Sequence, residues 1–303
     1  MTEGKKTVLI TGCSDGSLGS ALALAFHAAG WRVFATARNP AKLSAVHAAG
    51  IECETLDVQD AASITAAASH VRALTGGSLD ALVNNAGVGY SMSVTDSSLP
   101  HIHTLFELNV YSIISVTRAF LPLLLQSTAR PLIANNTSAM GLLGCGMPFQ
   151  GGYSASKAAA TSLTEALRLE LAPFGIRVCN IVTGRVRSTF FDNSNDAVLP
   201  PESIFNLAKD AIEDPMNGRN TPNNREDPNH WAANVVRDLS QPNPPYLVCR
   251  GGLAGSGRIV SFLPLGALDS HFKKASGLDV LDQKIRERGG WEKMREANKT
   301  QSG

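Results

Sequence analysis

The chain has 303 residues, 44% of them hydrophobic, with 27 basic and 26 acidic side chains. That is enough apolar content for one large core, and a net charge of +1 offers no basic field to nucleic acid or an anionic membrane, so a small molecule is the expected partner. No apolar run approaches the ~18 residues of a membrane span, the start Met-Thr-Glu-Gly-Lys-Lys lacks a signal-peptide core, and the five cysteines (Cys13, Cys53, Cys145, Cys179, Cys249) form no CxxC or Cys/His cluster, so a reduced, soluble, cytoplasmic protein with no metal site is expected.

Short apolar runs over 7–10, 32–36, 51–56, 81–83, 132–135 and 176–182 read as strands, and the periodicity predicts helices over 18–29, 41–49, 61–74, 103–125 and 153–171. Strands separated by helices of this length pair in parallel through crossovers. The expected architecture is α/β: a doubly wound, Rossmann-type parallel sheet in three layers and a single domain, with ligands at the carboxyl ends of the strands.

After Gly184 the pattern changes. Residues 187–243 are rich in Asn, Asp, Pro and Ser, with helical patterns near 201–212 and 230–239. The interleaved Phe190, Phe191, Ile204, Phe205, Leu207, Met216 and Trp231 predict a substrate lid; a surface excursion is the alternative. Residues 246–249 read as a final strand. The apolar run 259–268, broken by Pro264, is expected to lie against the sheet or an oligomer partner, with peripheral association to a lipid surface as the other reading. The main domain is placed at 1–270, and a charged extension at 271–303 carries Leu278, Leu281 and Ile285 at the spacing of a small surface helix.

Between the first strand and first helix runs Thr11-Gly-Cys-Ser-Asp-Gly-Ser-Leu-Gly19. Glycines here allow a tight turn and close backbone approach, and the exposed amides and dipole of a helix start attract a dinucleotide pyrophosphate. The second strand ends in Ala35-Thr-Ala-Arg38. Ala37 offers no carboxylate to ribose hydroxyls, whereas the Arg38 guanidinium suits a 2′-phosphate; a solvated loop arginine is the alternative. Asp57 after the third strand could accept from the adenine amino group or cap the next helix. Asn84-Asn-Ala-Gly87 closes the fourth strand, where Asn side chains can tie strand ends together and Gly87 leaves room for a cofactor; an ordinary turn is the alternative. Tyr153 and Lys157, four apart, share a helix face, and an ammonium beside a phenol favours the phenolate, as general acid-base work requires.

Taken in order, Thr11–Gly19, Asn84-Asn-Ala-Gly87, Asn109, Ser138 and Tyr153-x-x-x-Lys157 resemble the classical short-chain dehydrogenase/reductase family over about residues 5–190. Thr11-Gly-Cys-Ser-Asp-Gly, Phe34-Ala-Thr-Ala-Arg38, Pro148-Phe-Gln-Gly-Gly-Tyr153 and Val182-Thr-Gly184 are similar to the branch holding hydroxysteroid dehydrogenases and mostly fungal 1-acyldihydroxyacetone-phosphate reductases. The resemblance implies Tyr153 as proton donor, Lys157 lowering its pKa and holding the nicotinamide ribose, Asn109 supporting a water on the proton path, and Ser138 bonding the substrate carbonyl. It places Gly12, Ser14, Gly16, Leu18, Gly19, Arg38, Asp57, Asn84, Gly87, Tyr153, Lys157, Val186 and Ser188 around NADP(H), with Arg38 and Ser14 at the 2′-phosphate and Val186 and Ser188 at the carboxamide and pyrophosphate. A homo-oligomer is expected.

The chain departs from the family pattern at three places. Ser138 lies 15 residues before Tyr153, a longer gap than the pattern has, with residues inserted around Leu143-Gly-Cys-Gly-Met147. Strict counting aligns Met140, which cannot donate a hydrogen bond; Ser138 ends its strand as the family serine does, and Thr137 is the runner-up. Ser17 stands where relatives often carry glycine, and Thr183 replaces a frequent proline. The leading expectation is an NADPH-dependent reductase of an apolar ketone, lipid-like or a specialised metabolite. The alternative is a cofactor-binding protein whose redox activity is lost or redirected, as a scaffold, a sensor or a catalyst of non-redox cyclisation.

Overall fold

Among the described residues seven strands, β1 (Thr7–Ile10), β2 (Arg32–Ala37), β3 (Glu52–Thr55), β4 (Ala81–Asn84), β5 (Leu132–Asn136), β6 (Arg177–Thr183) and β7 (Leu247–Arg250), pair in parallel in the order β3-β2-β1-β4-β5-β6-β7. The computed structural model describes residues 4–142, 147–189, 196–219 and 225–295. Between β1 and β4 the strand order reverses, the position at which open α/β sheets bind ligands.

The period-two alternation of strand side chains explains the two helical layers. Val8, Ile10, Ala35, Val83, Ala134 and Ile181 point to one face, where they bury Leu22 and Phe26 of α1 (Leu18–Ala28), Val46 of α2 (Ser44–Ala48) and Val235 of α8 (Pro228–Leu239). The alternate residues Leu9, Phe34, Leu82, Ile133 and Val178 meet Ile64 and Val71 of α3 (Ala61–Thr75), Val116 and Phe120 of α5 (Ser112–Leu124), and Leu171 of α6 (Gly151–Leu171) on the other.

Three expectations change. The helix expected over 103–125 begins earlier, as α4 (Leu99–Phe106), because Pro100 fits a first turn where no backbone donor is needed. It runs through a π turn, Glu107–Tyr111, into α5. Trp231 is fully buried between α8 and the sheet, so it belongs to the core rather than a lid. The run 259–268 does not lie against the sheet: α9 (Ala254–Val260) buries Ala254 and Gly257, and Ile259 is 70%, Phe262 81% and Leu265 79% exposed in the single chain.

Of the other residues expected in a lid, Phe205 and Met216 join a separate cluster, whereas Ile204 is 68% exposed and stands outside it. Leu199, Ala208, and Ile212 and Met216 of α7 (Lys209–Met216) are buried with Phe149, and Phe205 sets its ring edge-on to Phe149 at 5.1 Å. After α10 (Asp269–Ala275), α11 (Leu278–Glu287) closes this cluster with Leu278 and Leu281, and Lys284 Nζ donates to Leu207 O at 3.1 Å. The extension after residue 271 is thus packed onto residues 199–216 through α11. Phe190, Phe191, Cys145 and the insert at 143–146 lie outside the described residues. No helix among those described is long and apolar enough to cross a membrane.

Candidate active site

The glycine-rich loop is shaped before any ligand arrives. Gly12 has φ +73°, and a Cβ there would sit 2.9 Å from Ala86 Cα; a Cβ on Gly19 would sit 2.2 Å from Gly12 O. Gly12 and Gly19 therefore let the loop fold against the end of β4. Ser17, the apparent anomaly, caps α1: its Oγ accepts from Ser20 N at 3.1 Å and donates to Gly12 O at 3.0 Å. The amides of Leu18 and Gly19, in the first turn, have no helical acceptor and present the positive end of α1. Gly16 O accepts from Thr189 N at 3.4 Å, so the 184–189 loop holding Val186 and Ser188 closes on the same cradle.

Arg38 lies just beyond β2, exposed, and makes none of the ion pairs among the described residues. Ser14 is half-buried in the same loop, its carbonyl accepting from Ser17 N at 3.0 Å. Asp15 next to it is spent: its carboxylate accepts from Ser44 Oγ, Ser44 N and Ala45 N at the start of α2, which lowers its pKa. Asp57 forms an Asx turn with Gln59 N at 3.0 Å, while Asp60 caps α3, so the cap alternative for Asp57 does not hold. These residues fit a phosphorylated dinucleotide: a helix start for the pyrophosphate and an unpaired guanidinium at the ribose end.

Asn84 points its side chain into the fold: Nδ2 donates to Asn135 Oδ1 at 2.8 Å and Thr117 Oγ1 at 3.2 Å, which straps β4 to β5 and leaves its backbone as the part that can face a cofactor. Asn85 takes the outer position. Its backbone N donates to Thr11 Oγ1 at 2.9 Å, and its Nδ2 donates to Thr11 O at 2.9 Å, fixing the cradle to β4.

The catalytic candidates converge at the carboxyl ends of β4 and β5. Tyr153 and Lys157 lie one turn apart on α6, and the phenol hydrogen-bonds Ser138 at the end of β5. Ser138 also accepts from Met140 N at 3.2 Å in a short 3-10 turn, which leaves its hydroxyl proton to donate. Thr137 is excluded from this role: its hydroxyl donates to Asn180 Oδ1 at 2.6 Å and is buried. Met140, the strict-count residue, supplies only its backbone here.

Asn109 sits in the π turn. Its Oδ1 accepts from Val88 N at 2.9 Å, and its Nδ2 donates to Val88 O and Ser156 Oγ, both at 3.0 Å. The widened turn, a feature common at functional sites, brings it against Gly87, whose Cβ position lies 3.0 Å from Asn109 Oδ1 and 3.4 Å from Lys157 Nζ. Lys157 is buried and donates to Asn136 O at 3.0 Å. Burial pushes the Lys157 ammonium down to about 8. Burial pushes the Tyr153 phenol up to about 12, with the Ser138 hydrogen bond opposing it. Desolvation therefore outweighs the Ser138 hydrogen bond and holds the phenol above its ordinary value, the opposite direction to the depression that the resemblance implies.

Asn136 and Thr183 were not marked for this cluster by sequence reasoning, yet Asn136 Nδ2 donates to Asn85 Oδ1 at 2.8 Å and Thr183 Oγ1 donates to Asn136 Oδ1 at 2.5 Å. The available signal was the repeated doublet, Asn84-Asn85 and Asn135-Asn136, each closing an apolar strand.

Comparison with known proteins agrees with this geometry. A family model described as "short chain dehydrogenase" matches residues 6–198. A Pestalotiopsis microspora protein described as a short-chain dehydrogenase/reductase is 42% identical, covering 94% of this chain and 99% of its own. An "NADPH-dependent 1-acyldihydroxyacetone phosphate reductase" of Schizosaccharomyces pombe is 37% identical over 67% of this chain and 69% of its own. The solved structure of a short-chain dehydrogenase from Streptomyces avermitilis superposes with a TM-score of 0.73 at 30% identity, covering 93% of this chain and 99% of that one.

Proposed function

Because this chain belongs to the short-chain dehydrogenase/reductase family, we propose that it reduces a ketone on an apolar, lipid-like or specialised-metabolite substrate with NADPH. The observation that carries this reading is the Ser138–Tyr153–Lys157 cluster set beside a helix-start cradle, with Arg38 unpaired and no carboxylate at Ala37. NADPH would supply the hydride from its nicotinamide.

The chain's own residues do the rest. Ser138 donates to the carbonyl oxygen and holds it beside the phenol, and Tyr153 delivers its proton to that oxygen as negative charge develops there. Lys157 offers its remaining N–H groups to the nicotinamide ribose and favours the phenolate left behind. Asn109 fixes the π turn that supports a water behind Lys157. Arg38 and Ser14 hold the 2′-phosphate, Asp57 the adenine, and Val186 and Ser188 the carboxamide and pyrophosphate. The apolar segment 196–219, which packs with Phe149, would act as the lid that keeps water from the hydride path. The NADPH dependence named for the S. pombe relative supports the cofactor choice.

Exposed Ile114, Leu125, Leu169 and Phe174 on or near α5 and α6 support self-association as a homo-oligomer. The uncovered Ile259, Phe262 and Leu265 support peripheral contact with lipid surfaces by an otherwise cytoplasmic protein.

The test is direct. Fluorescence titration should give NADPH a clear advantage over NADH, and Arg38→Ala should lose about 10- to 100-fold in NADPH affinity, the worth of a charge-assisted hydrogen bond. Tyr153→Phe should abolish ketone-dependent NADPH oxidation while keeping NADPH affinity. Equal affinity for the two cofactors, or substantial turnover by Tyr153→Phe, would overturn the reading.

A further inference from the structure

Lys157 has three donors, and the hydrogen bond recorded for it runs to the backbone carbonyl of Asn136 at 3.0 Å. The direction of that carbonyl sets the direction of the ammonium. Most strand carbonyls are steered by their ladder alone, but this one lies at the last residue of β5, where the ladder with β6 is ending: Asn136 pairs with Ile181, and Thr137 N still donates to Ile181 O at 2.8 Å.

The residue's side chain is anchored on both sides. Nδ2 reaches across to Asn85 at the end of β4, and Oδ1 accepts from Thr183 at the end of β6. Asn85 in turn holds Thr11 O and Gly12 O, at 2.9 and 3.3 Å. A polar row therefore runs along the carboxyl edge of β1, β4, β5 and β6, from the glycine-rich cradle to Lys157. Asn136, Thr183 and Thr11 are buried and Asn85 is partly buried, which leaves the row little freedom.

We propose that Asn136 is a positioning residue for the Lys157 ammonium and that Thr183 holds it in place through their hydrogen bond. The role of Lys157 rests on the function proposed above; the placement of its ammonium by Asn136 and Thr183 does not. Without the Thr183 hydroxyl, Asn136 Oδ1 loses a buried partner, and the amide can turn to recover one. The carbonyl then follows, and the charged form of Lys157 loses part of its stabilisation.

The experiment compares Thr183→Val, which keeps the shape and removes the hydroxyl, with Thr183→Ser, which keeps the hydroxyl. The readout is the Lys157 titration in cofactor-free protein, followed by NMR of selectively labelled lysine and assigned with Lys157→Met. Thr183→Val should lower the Lys157 pKa by about half to one unit, the equivalent of one net hydrogen bond, and Thr183→Ser should restore it. If Thr183→Val does not fold, as judged by near-UV circular dichroism, Thr183→Ala takes its place with the same expectation. An unchanged Lys157 titration in the folded hydroxyl-less variant, or a serine variant that behaves like valine, overturns the proposal. A shifted titration in a protein that reduces no ketone with NADPH would uphold the positioning and remove the reductase reading, so the two fail separately.

Discussion

Ser138 and Thr137 are neighbours at the end of β5, both hydroxylated and both buried, and their hydrogen bonds separate their roles. Ser138 meets Tyr153, whereas Thr137 is committed to Asn180 on β6. Ser138→Ala should therefore lower kcat by about a hundredfold, as loss of an oxyanion donor does, with little change in stability. Thr137→Val should do the reverse, costing roughly 1 kcal/mol in urea unfolding while kcat stays within a few-fold. The opposite ranking in steady-state kinetics would move the carbonyl donor to Thr137. Lys157 yields a second prediction at this scale. Its folded pKa is lowered from 10.5 to about 8, so between those values the unfolded chain binds more protons and stability rises with pH. Below about pH 8 the burial penalty is fully present. The melting temperature of Lys157→Met relative to wild type should be highest at pH 7 and its advantage should shrink toward pH 10, before the raised Tyr153 phenol begins to act. A difference independent of pH would show that Lys157 titrates normally. Tyr153, Lys157 and Ser138 were legible because their chemistry is tied to short, ordered spacing. Asn136 was not, because an asparagine's role depends on which strand ends lie beside it, and that is known only once β5 is in register with β4 and β6.

At the scale of elements, the alternating strands and helices up to β6 could be read from apolar periodicity, with ends moved by a few residues. The π turn could not, since Glu107–Tyr111 differs from an ordinary helical turn by one extra residue per turn and leaves no compositional mark. The segment after Gly184 was legible as a change of composition, but its packing was not. Trp231 belongs to an amphipathic helix whose apolar face meets α1, a partner far away in sequence. Residues 199–216 pack instead on α11, through Leu278 and Leu281. Hydrogen exchange should therefore be fastest in 196–219 among the buried parts of the free protein and slow most there when NADPH and a substrate or competitive inhibitor are added. Leu281→Ala should speed exchange across 204–216 and raise KM more than it lowers kcat. No change in 196–219 on ternary-complex formation would leave that segment as fixed wall.

Taken as a whole molecule, the sheet joins residues that are distant along the chain, and its fold class was legible because only parallel pairing satisfies helices of this length between strands. The packing of α1 against α8 has a further consequence for the chain during synthesis. Leu22 and Phe26 leave the ribosome well before Trp231, Val235 and Val236, which cover them and follow about 200 residues later. At about 5–20 residues per second that face waits roughly 10–40 s for its cover. Ribosome-bound nascent chains stalled near residue 220 should thus be captured by a holdase chaperone, and chains stalled well past residue 250 should not; equal capture of both would show that the α1 face is sheltered before α8 emerges. The enzyme's folding would then be timed by the arrival of one distant helix, leaving the helix that starts the glycine-rich cradle in chaperone hands until α8 has emerged.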